Sequence, residues 1–184
     1  MARLAAPAPD ALTPAQQRLS AAVGGKRSGG AARGPWGVLL HRPALMEKAA
    51  ALGDYIRDDM AVAPKLRELA VIAVARHYGA PYEWHAHARS AREAGLDAAV
   101  IEAVRTRTPP PFADEAEAAT HALAAELLAT RAVSGATYDR AVAALGEAAV
   151  IELVTAAGFY ALVATILVVF DIEAPDGAGD VLPA

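Results

Sequence analysis

Three side chains suited to acid–base chemistry lie close together in this sequence of 184 residues. Glu83 and His87 are four residues apart in a segment expected to be helical, which puts them on one face with Cβ atoms about 5–6 Å apart. Glu68 lies one helix earlier, and the residues in phase with it, Ile72 and Ala75, are apolar, so its face should be buried. Two carboxylates and an imidazole directed towards one buried surface make a candidate acid–base site.

A buried carboxylate is costly unless it has a partner, and burial raises its pKa. Two such carboxylates in one site cannot easily both ionise, so one is expected to hold a proton near neutral pH. Groups shifted in this way are candidates for a general acid or base. Two structural alternatives stay open: Glu83 and His87 as an exposed helical pair worth about 0.2–0.5 kcal/mol, and Glu68 in a salt bridge. The arginines available for that bridge are Arg67, Arg76 and Arg89.

The same two carboxylates and imidazole are also potential ligands for iron, manganese or zinc. The Glu-x-x-His pairs of di-iron helical bundles have three-residue spacing and occur twice, whereas the spacing here is four and occurs once. His77 and His121 stand alone in helices and are expected to be structural. The sequence therefore predicts no metal site.

Three further side chains are candidates for binding a substrate. Tyr82 directly precedes Glu83. Tyr160 lies in a long apolar segment, where its hydroxyl needs a partner in the same pocket or on a backbone carbonyl. His41 lies at the entrance of an expected helix, within reach of a site but without a spacing argument. His85 is expected on the opposite side of its helix, facing solvent or a neighbouring subunit.

Composition points to a single all-α domain over residues 1–184. Hydrophobic residues make up 55% of the chain, but aromatic residues make up only 5%. Much of the hydrophobic fraction is alanine, the best helix former. Charges of both signs are interspersed, with a formal net charge of −4, so nucleic acid is not an expected partner. The absence of cysteine excludes disulfides, thiolate nucleophiles and thiolate zinc sites. No secretory signal is visible, so a cytoplasmic location is expected.

Caps and prolines divide the chain into about seven to eight helices without strands. Thr13 and Gln16 form a capping box around Pro14, and Gly79 suits the left-handed position after a helix. The helices are expected at residues 14–23, 43–59, 64–78, 81–95, 97–105, 114–130, 137 or 139 to 145, and 147–170. The glycine-rich stretch 24–34 is expected to be a mobile loop or lid at the end of an N-terminal arm, and residues 173–184 a loose tail.

Residues 153–170 carry no charge over 18 positions, close to the minimum for a membrane span. Glu152 and Asp171 flank the segment directly, and no Lys or Arg lies close to either end. Polar residues and a glycine interrupt it, as in a helix packed all round by protein. The sequence therefore predicts a core helix, with an oligomer interface as a further place to bury it, and no membrane partner.

These features resemble the carboxymuconolactone decarboxylase family, within the alkylhydroperoxidase D-like superfamily. The likeness covers most of the chain, through the segments TPAQQ, GPWGVLLHRPALMEKAAALGDYIR, LRELAVIAVARHYGAPYEWHAH and AELLATRAVSGATYDRAVAALGEAAVIELVTAAGFYALVATIL. Its most specific part is Arg67-Glu68 followed by Tyr82-Glu83-Trp84-x-x-His87. The resemblance implies an all-helical, cofactor-free protein that assembles as trimers or hexamers, with its site near subunit contacts and a small molecule as substrate.

The peroxidase branch of that superfamily has a Cys-x-x-Cys pair followed by His, with a glutamate on the preceding helix as proton relay. The cysteine positions fall on Ala80 and Glu83 here, so peroxide reduction by thiol exchange is excluded. The family's C-terminal helix often carries an arginine and an asparagine, where this sequence has Thr165 and Val168. Because an arginine can bind a carboxylate bidentately, its absence implies a less charged substrate than the lactone that names the family.

The leading hypothesis is a cofactor-independent lyase acting on a small lactone or unsaturated carbonyl compound. When CO₂ leaves, the electron pair of the broken bond moves to a conjugated carbonyl oxygen. His87 stabilises that carbonyl oxygen or returns a proton to carbon. Glu83 acts as general acid/base, and Glu68 holds the histidine tautomer. One alternative uses the same pocket for hydration, dehydration or isomerisation. Another is a non-catalytic ligand-binding or metal-binding helical protein, marked by an exposed Glu68 held by arginine and no cavity beside His87.

Overall fold

The computed structural model describes residues 2–24, 33–175, 178 and 182–183. Over these residues the chain forms nine α-helices and no strand, which confirms the all-α prediction. The helices are α1 (Pro14–Gly24), α2 (Gly34–Leu39), α3 (Pro43–Asp54), α4 (Pro64–Tyr78), α5 (Pro81–Glu93), α6 (Ala98–Thr106), α7 (Glu115–Thr130), α8 (Gly135–Leu145) and α9 (Glu147–Val169). A 3₁₀ turn at Pro9–Ala11 and a π-helical segment at Tyr55–Asp59 complete the regular structure.

Helix α4 is the centre of the fold. All residues from 68 to 75 are buried, and the helix packs against α5, α7 and α9. A helix that buries most of its circumference needs neighbours on several sides. Gly79 ends α4 in the left-handed conformation, with φ 62°, as its position predicted. The chain therefore turns back at once through Pro81, which sets α5 directly beside α4.

Most predicted helix boundaries agree with the structure to within two residues. The backbone N–H of Thr13 donates to the side chain of Gln16 at 2.9 Å, forming the predicted capping box. Helix α8 begins at Gly135, before either predicted start, because Ser134 caps it by accepting from the backbone N–H of Thr137. The cap had not been recognised in the sequence.

Two further differences lie near the predicted site residues. Helix α2 was not predicted at all. The helix predicted over 43–59 is α-helical only to Asp54 and then widens into the π-helical segment, two of whose carbonyls accept hydrogen bonds from α4. The predicted mobile loop falls largely on residues 25–32, which lie outside the described residues, as does part of the predicted loose tail.

Helix α9 is buried along one face only. Leu153, Ala157 and Leu167 belong to the core, whereas Ile151 and Leu162 are 67% and 50% exposed. The prediction of a helix packed all round by protein is therefore wrong for the single chain, because the neighbouring helices cover one side. By length and composition, α9 is the one helix among the described residues that could cross a membrane.

Candidate active site

A cavity of about 410 Å³ lies between α2, α5, α9 and the π-helical segment. Helix α5 contributes Tyr82, Glu83 and His87 to its wall, and α9 contributes Tyr160. Glu68, on α4, lies behind His87 and reaches it through a hydrogen bond. The structure thus brings five of the six predicted site residues to one place.

Glu68 is held between an imidazole and a guanidinium. Its Oε2 is 2.8 Å from Nδ1 of His87, and its Oε1 accepts from Nη2 of Arg67 at 3.1 Å. The carboxyl is almost completely buried, and burial acts to raise its pKa. The charges and hydrogen bonds of His87 and Arg67 outweigh burial and lower the pKa of Glu68 below its ordinary value. Glu68 is therefore an anion that accepts the Nδ1–H of His87.

The contact with Glu68 determines which ring nitrogen of His87 is available for proton transfer. A carboxylate anion only accepts, so Nδ1 must carry a hydrogen. Among the described residues Nε2 of His87 has no hydrogen-bond partner, and the ring lines the cavity. An imidazole oriented by a carboxylate and free at Nε2 can accept or deliver a proton there.

Arg67 also links this pair to the π-helical segment. Its Nη1 donates to the backbone carbonyl of Arg57 at 2.7 Å and to that of Ile56 at 3.4 Å. The salt bridge proposed as a structural alternative for Glu68 is therefore present with Arg67. However, it accompanies the contact with His87 rather than replacing it, and it is inside the protein.

Glu83 has a different environment. Its side chain is 2% exposed, and neither carboxyl oxygen has a hydrogen-bond partner in the described structure. Burial without a counter charge raises the pKa of Glu83 well above its ordinary value. Glu83 is therefore the carboxyl of the site whose surroundings favour the protonated form.

Two tyrosines complete the wall. The ring of Tyr160 packs edge-on against the ring of His87, with centroids 4.6 Å apart. Burial and the nearby carboxyls of Glu68 and Glu83 raise the pKa of Tyr160, so its hydroxyl stays a neutral donor. The ring of Tyr82 lies against α2, and burial raises the pKa of its hydroxyl as well.

Two histidine predictions need correction. His41 is exposed and does not line the cavity, because its Nε2 lies 2.8 Å from the backbone carbonyl of Ala5. His85, which was expected on the opposite side of its helix, does line the cavity. Helix α5 turns Trp84 and Ala88 to the core, so most of its remaining circumference borders the cavity.

The C-terminal helix also differs from expectation. Thr165 and Val168 are exposed and do not line the cavity. The absence of an arginine at these positions of α9 therefore does not determine the charge of the cavity in a single chain. Arg33, Arg57 and Arg89, from three other elements, line it instead. Sequence reasoning missed these arginines, since no spacing rule connects three such distant positions.

The site does not have the geometry of a metal centre. No group of three or more His, Asp or Glu side chains in the described part of the chain is placed to hold a metal ion. Both oxygens of Glu68 are engaged, one by Arg67 and one by His87.

The described residues thus form an all-helical fold with a carboxylate–histidine pair and an unpartnered buried glutamate at one cavity, in a chain without cysteine. Residues 43–126 match the model of the carboxymuconolactone decarboxylase family, in agreement with the family resemblance seen in the sequence. The matched segment contains Glu68, Glu83 and His87, whereas Tyr160 lies beyond it.

Two solved structures share the fold. One is a protein of unknown function from Agrobacterium tumefaciens, described as a putative antioxidant defence protein AhpD. It is 16% identical to this chain, with a TM-score of 0.66, and the match covers 75% of this chain and 95% of that chain. The other is the debrominase Bmp8, solved as a cysteine-to-alanine variant with 2,3,4-tribromopyrrole; it is also 16% identical, with a TM-score of 0.66 over 77% of this chain and 76% of that chain. Likeness at this identity establishes the fold alone. No curated protein matches the sequence significantly.

Proposed function

We propose that this protein is a cofactor-independent lyase of the carboxymuconolactone decarboxylase type, acting on a small lactone or unsaturated carbonyl compound. One observation carries the proposal: Glu83, a buried carboxyl without a hydrogen-bond partner among the described residues, and His87, oriented by Glu68, line the same cavity. Active sites commonly assign acid and base roles by placing two titratable groups in environments that push their proton affinities apart.

The proposed chemistry follows from the two proton states. The bond between carbon and the substrate carboxylate breaks, CO₂ leaves, and the electron pair moves to a conjugated carbonyl oxygen. Glu83, as a neutral carboxylic acid, donates a hydrogen bond to that oxygen as its charge develops. Nε2 of His87 then delivers a proton to carbon and takes up a replacement from solvent, while Glu68 stabilises the protonated ring.

The cavity lining supports an anionic small molecule as substrate. A volume of about 410 Å³ suits a small organic compound. Arg33, Arg57 and Arg89 provide positive charge at the wall, although Asp54 and Asp58 bind Arg57 at 2.9 Å and offset part of it. A substrate carboxylate is thus compatible with this chain even though α9 carries no arginine.

The other readings differ in what they require. A non-catalytic protein was expected to show an exposed Glu68 and no cavity beside His87. In the structure Glu68 is buried, and a cavity lies beside His87. Hydration, dehydration and isomerisation would use the same acid and base. Measuring the release of CO₂ distinguishes decarboxylation from these three reactions.

The test is to incubate the purified protein with the lactone that names the family and with uncharged lactone analogues. We expect release of CO₂ with a matching change in ultraviolet absorbance. Glu83→Gln and His87→Ala should each slow the reaction by at least about 10²-fold, the usual contribution of general acid–base catalysis. Glu147→Gln, an exposed glutamate at the start of α9, serves as the control and should keep wild-type turnover.

Unchanged turnover in both site variants would show that the assigned residues are not the acid and base. Consumption of the lactone without CO₂ release would favour hydration or isomerisation over the proposed lyase reaction.

A further inference from the structure

A second cavity of about 410 Å³ lies between α4, α6 and α7. None of the active-site residues lines it. Its polar side chains are those of Arg76, His77, Arg107, Thr108 and His121, and no Asp or Glu lines it within the described residues. Two histidines that the sequence assigned to structural roles thus lie at a pocket with a positive wall.

The two arginines of this wall are poorly compensated. Arg76 donates through Nε to the backbone carbonyl of Arg105 at 2.8 Å, and its other nitrogens have no partner among the described residues. The side chain of Arg107 makes no hydrogen bond or ion pair with any described residue, and its backbone N–H donates to the carbonyl of Val104 at 3.3 Å. Arg105, by contrast, is bound by Glu102 at 2.7 Å. Burial lowers the pKa of Arg76, and the charges of Arg107 and Arg105 lower it further, as expected for cations held near one another.

Much of the remaining wall is apolar. Val104 and Leu128 line the cavity together with Pro109 and Pro110. Burial lowers the pKa of His121, so this ring presents a neutral face to the pocket. Apolar walls with a few converging polar groups are typical of sites for small organic molecules.

We propose that the second cavity binds a small organic anion, with its carboxylate or phosphate group between Arg76 and Arg107 and its apolar part against Val104 and Leu128. Guanidinium groups match the planar or tetrahedral oxygens of such anions with parallel hydrogen bonds. The proposal does not depend on the lyase activity, because the two cavities share no lining residue.

The chain offers a matched pair of variants for testing it. Arg107 follows α6 in the left-handed conformation with φ 58°, and Arg131 follows α7 in the same conformation with φ 61° but does not line the cavity. Glycine is favoured at both positions. Arg107→Gly and Arg131→Gly therefore remove the same charge at the same kind of helix end, and both should keep the wild-type melting temperature or raise it.

Isothermal titration calorimetry with phenyl phosphate, benzoate and inorganic phosphate provides the measurement. We expect the wild-type protein to bind phenyl phosphate or benzoate, Arg107→Gly to bind about tenfold more weakly, and Arg131→Gly to bind like wild type. Preference for one of the two organic anions identifies the anionic group, and weaker binding of inorganic phosphate supports the apolar contact.

Failure of both organic anions to bind at millimolar concentration would overturn the proposal. An equal loss of affinity in the two glycine variants would also overturn the proposal, because the loss would then be caused by the change in net charge and not by removal of a side chain from this cavity. Arg107→Asn, which also suits the left-handed conformation, repeats the test if the glycine variant does not fold.

Discussion

Glu68 and Glu83 are the same residue type, yet their surroundings favour opposite ionisation states. Burial acts on both carboxyls. Arg67 and His87 provide positive charge and hydrogen bonds to Glu68, so its pKa falls below the ordinary value. Glu83 has no such partner, so desolvation alone sets its state and keeps the proton. The acid and the base-orienting anion of the proposed mechanism follow from this difference.

The difference predicts opposite effects of glutamine substitutions on stability. The raised pKa of Glu83 contributes stability that is present below its ordinary value of 4.5 and is lost as pH rises through the folded-state pKa. Glu83→Gln removes this titration, so its melting temperature relative to wild type should increase as the pH rises above 4.5. Parallel pH profiles for the two proteins would mean that Glu83 ionises normally in the folded state.

Glu68→Gln is the counterpart in the same measurements. The lowered pKa of Glu68 contributes stability above its ordinary value, which is lost as pH falls through the folded-state pKa. The substitution also leaves the buried guanidinium of Arg67 without its anion, at a cost of about 3–5 kcal/mol near neutral pH. Its deficit in free energy of unfolding should therefore shrink in acid, opposite to the trend for Glu83→Gln.

The part of the active-site wall around Tyr82 depends on how α5 packs against α4 and α2. The left-handed turn at Gly79 sets α5 against α4, and the first residue of α2 lies under the ring of Tyr82. Gly34 has φ 57°, and a Cβ atom there would overlap that ring. Close approach between α2 and α5 thus depends on the absence of a side chain at Gly34.

Gly34→Ala should displace Tyr82 and strain the left-handed backbone. We expect a loss of about 1–3 kcal/mol in the free energy of unfolding, measured by denaturant titration. Gly135→Ala is the matched control, because a Cβ atom added there would meet no neighbouring group within 4 Å and alanine suits a helix better than glycine. Equal stability of the two variants would contradict the proposed contact between α2 and α5.

At the scale of the molecule, α9 leaves an apolar face exposed in the single chain. Ile151, Leu162 and Val169 lie on it, with exposed fractions of 67%, 50% and 49%. Monomeric proteins rarely expose contiguous apolar faces of this kind. We propose that further copies of this chain cover the face, in the trimer or hexamer implied by the family resemblance.

Leu162→Lys should therefore reduce the assembly to smaller species in size-exclusion chromatography with light scattering. A buried charge in an apolar interface is strongly unfavourable. Leu45→Lys, at a leucine 54% exposed on α3, should leave the assembly unchanged. A wild-type monomer, or recovery of the protein with membranes, would contradict the proposed interface.

Local rules were enough to predict most of the helices and one part of the site. The capping box at Thr13, the proline starts and the glycine after α4 act within a few residues, so they are visible in the sequence. The shared face of Glu83 and His87 follows from four-residue helical spacing in the same way. The buried state of Glu68 was also predictable, because its neighbours in phase are apolar.

Contacts between distant elements account for what the sequence did not reveal. The position of His85 on the cavity wall depends on which face α5 turns to the core, and the arginines of both cavities come from positions far apart in the chain. The proton on Glu83 depends on the absence of a nearby cation, which is a property of packing and not of spacing. Desolvation and charge pairing act through space, so they become defined only when α4, α5 and α9 are packed together.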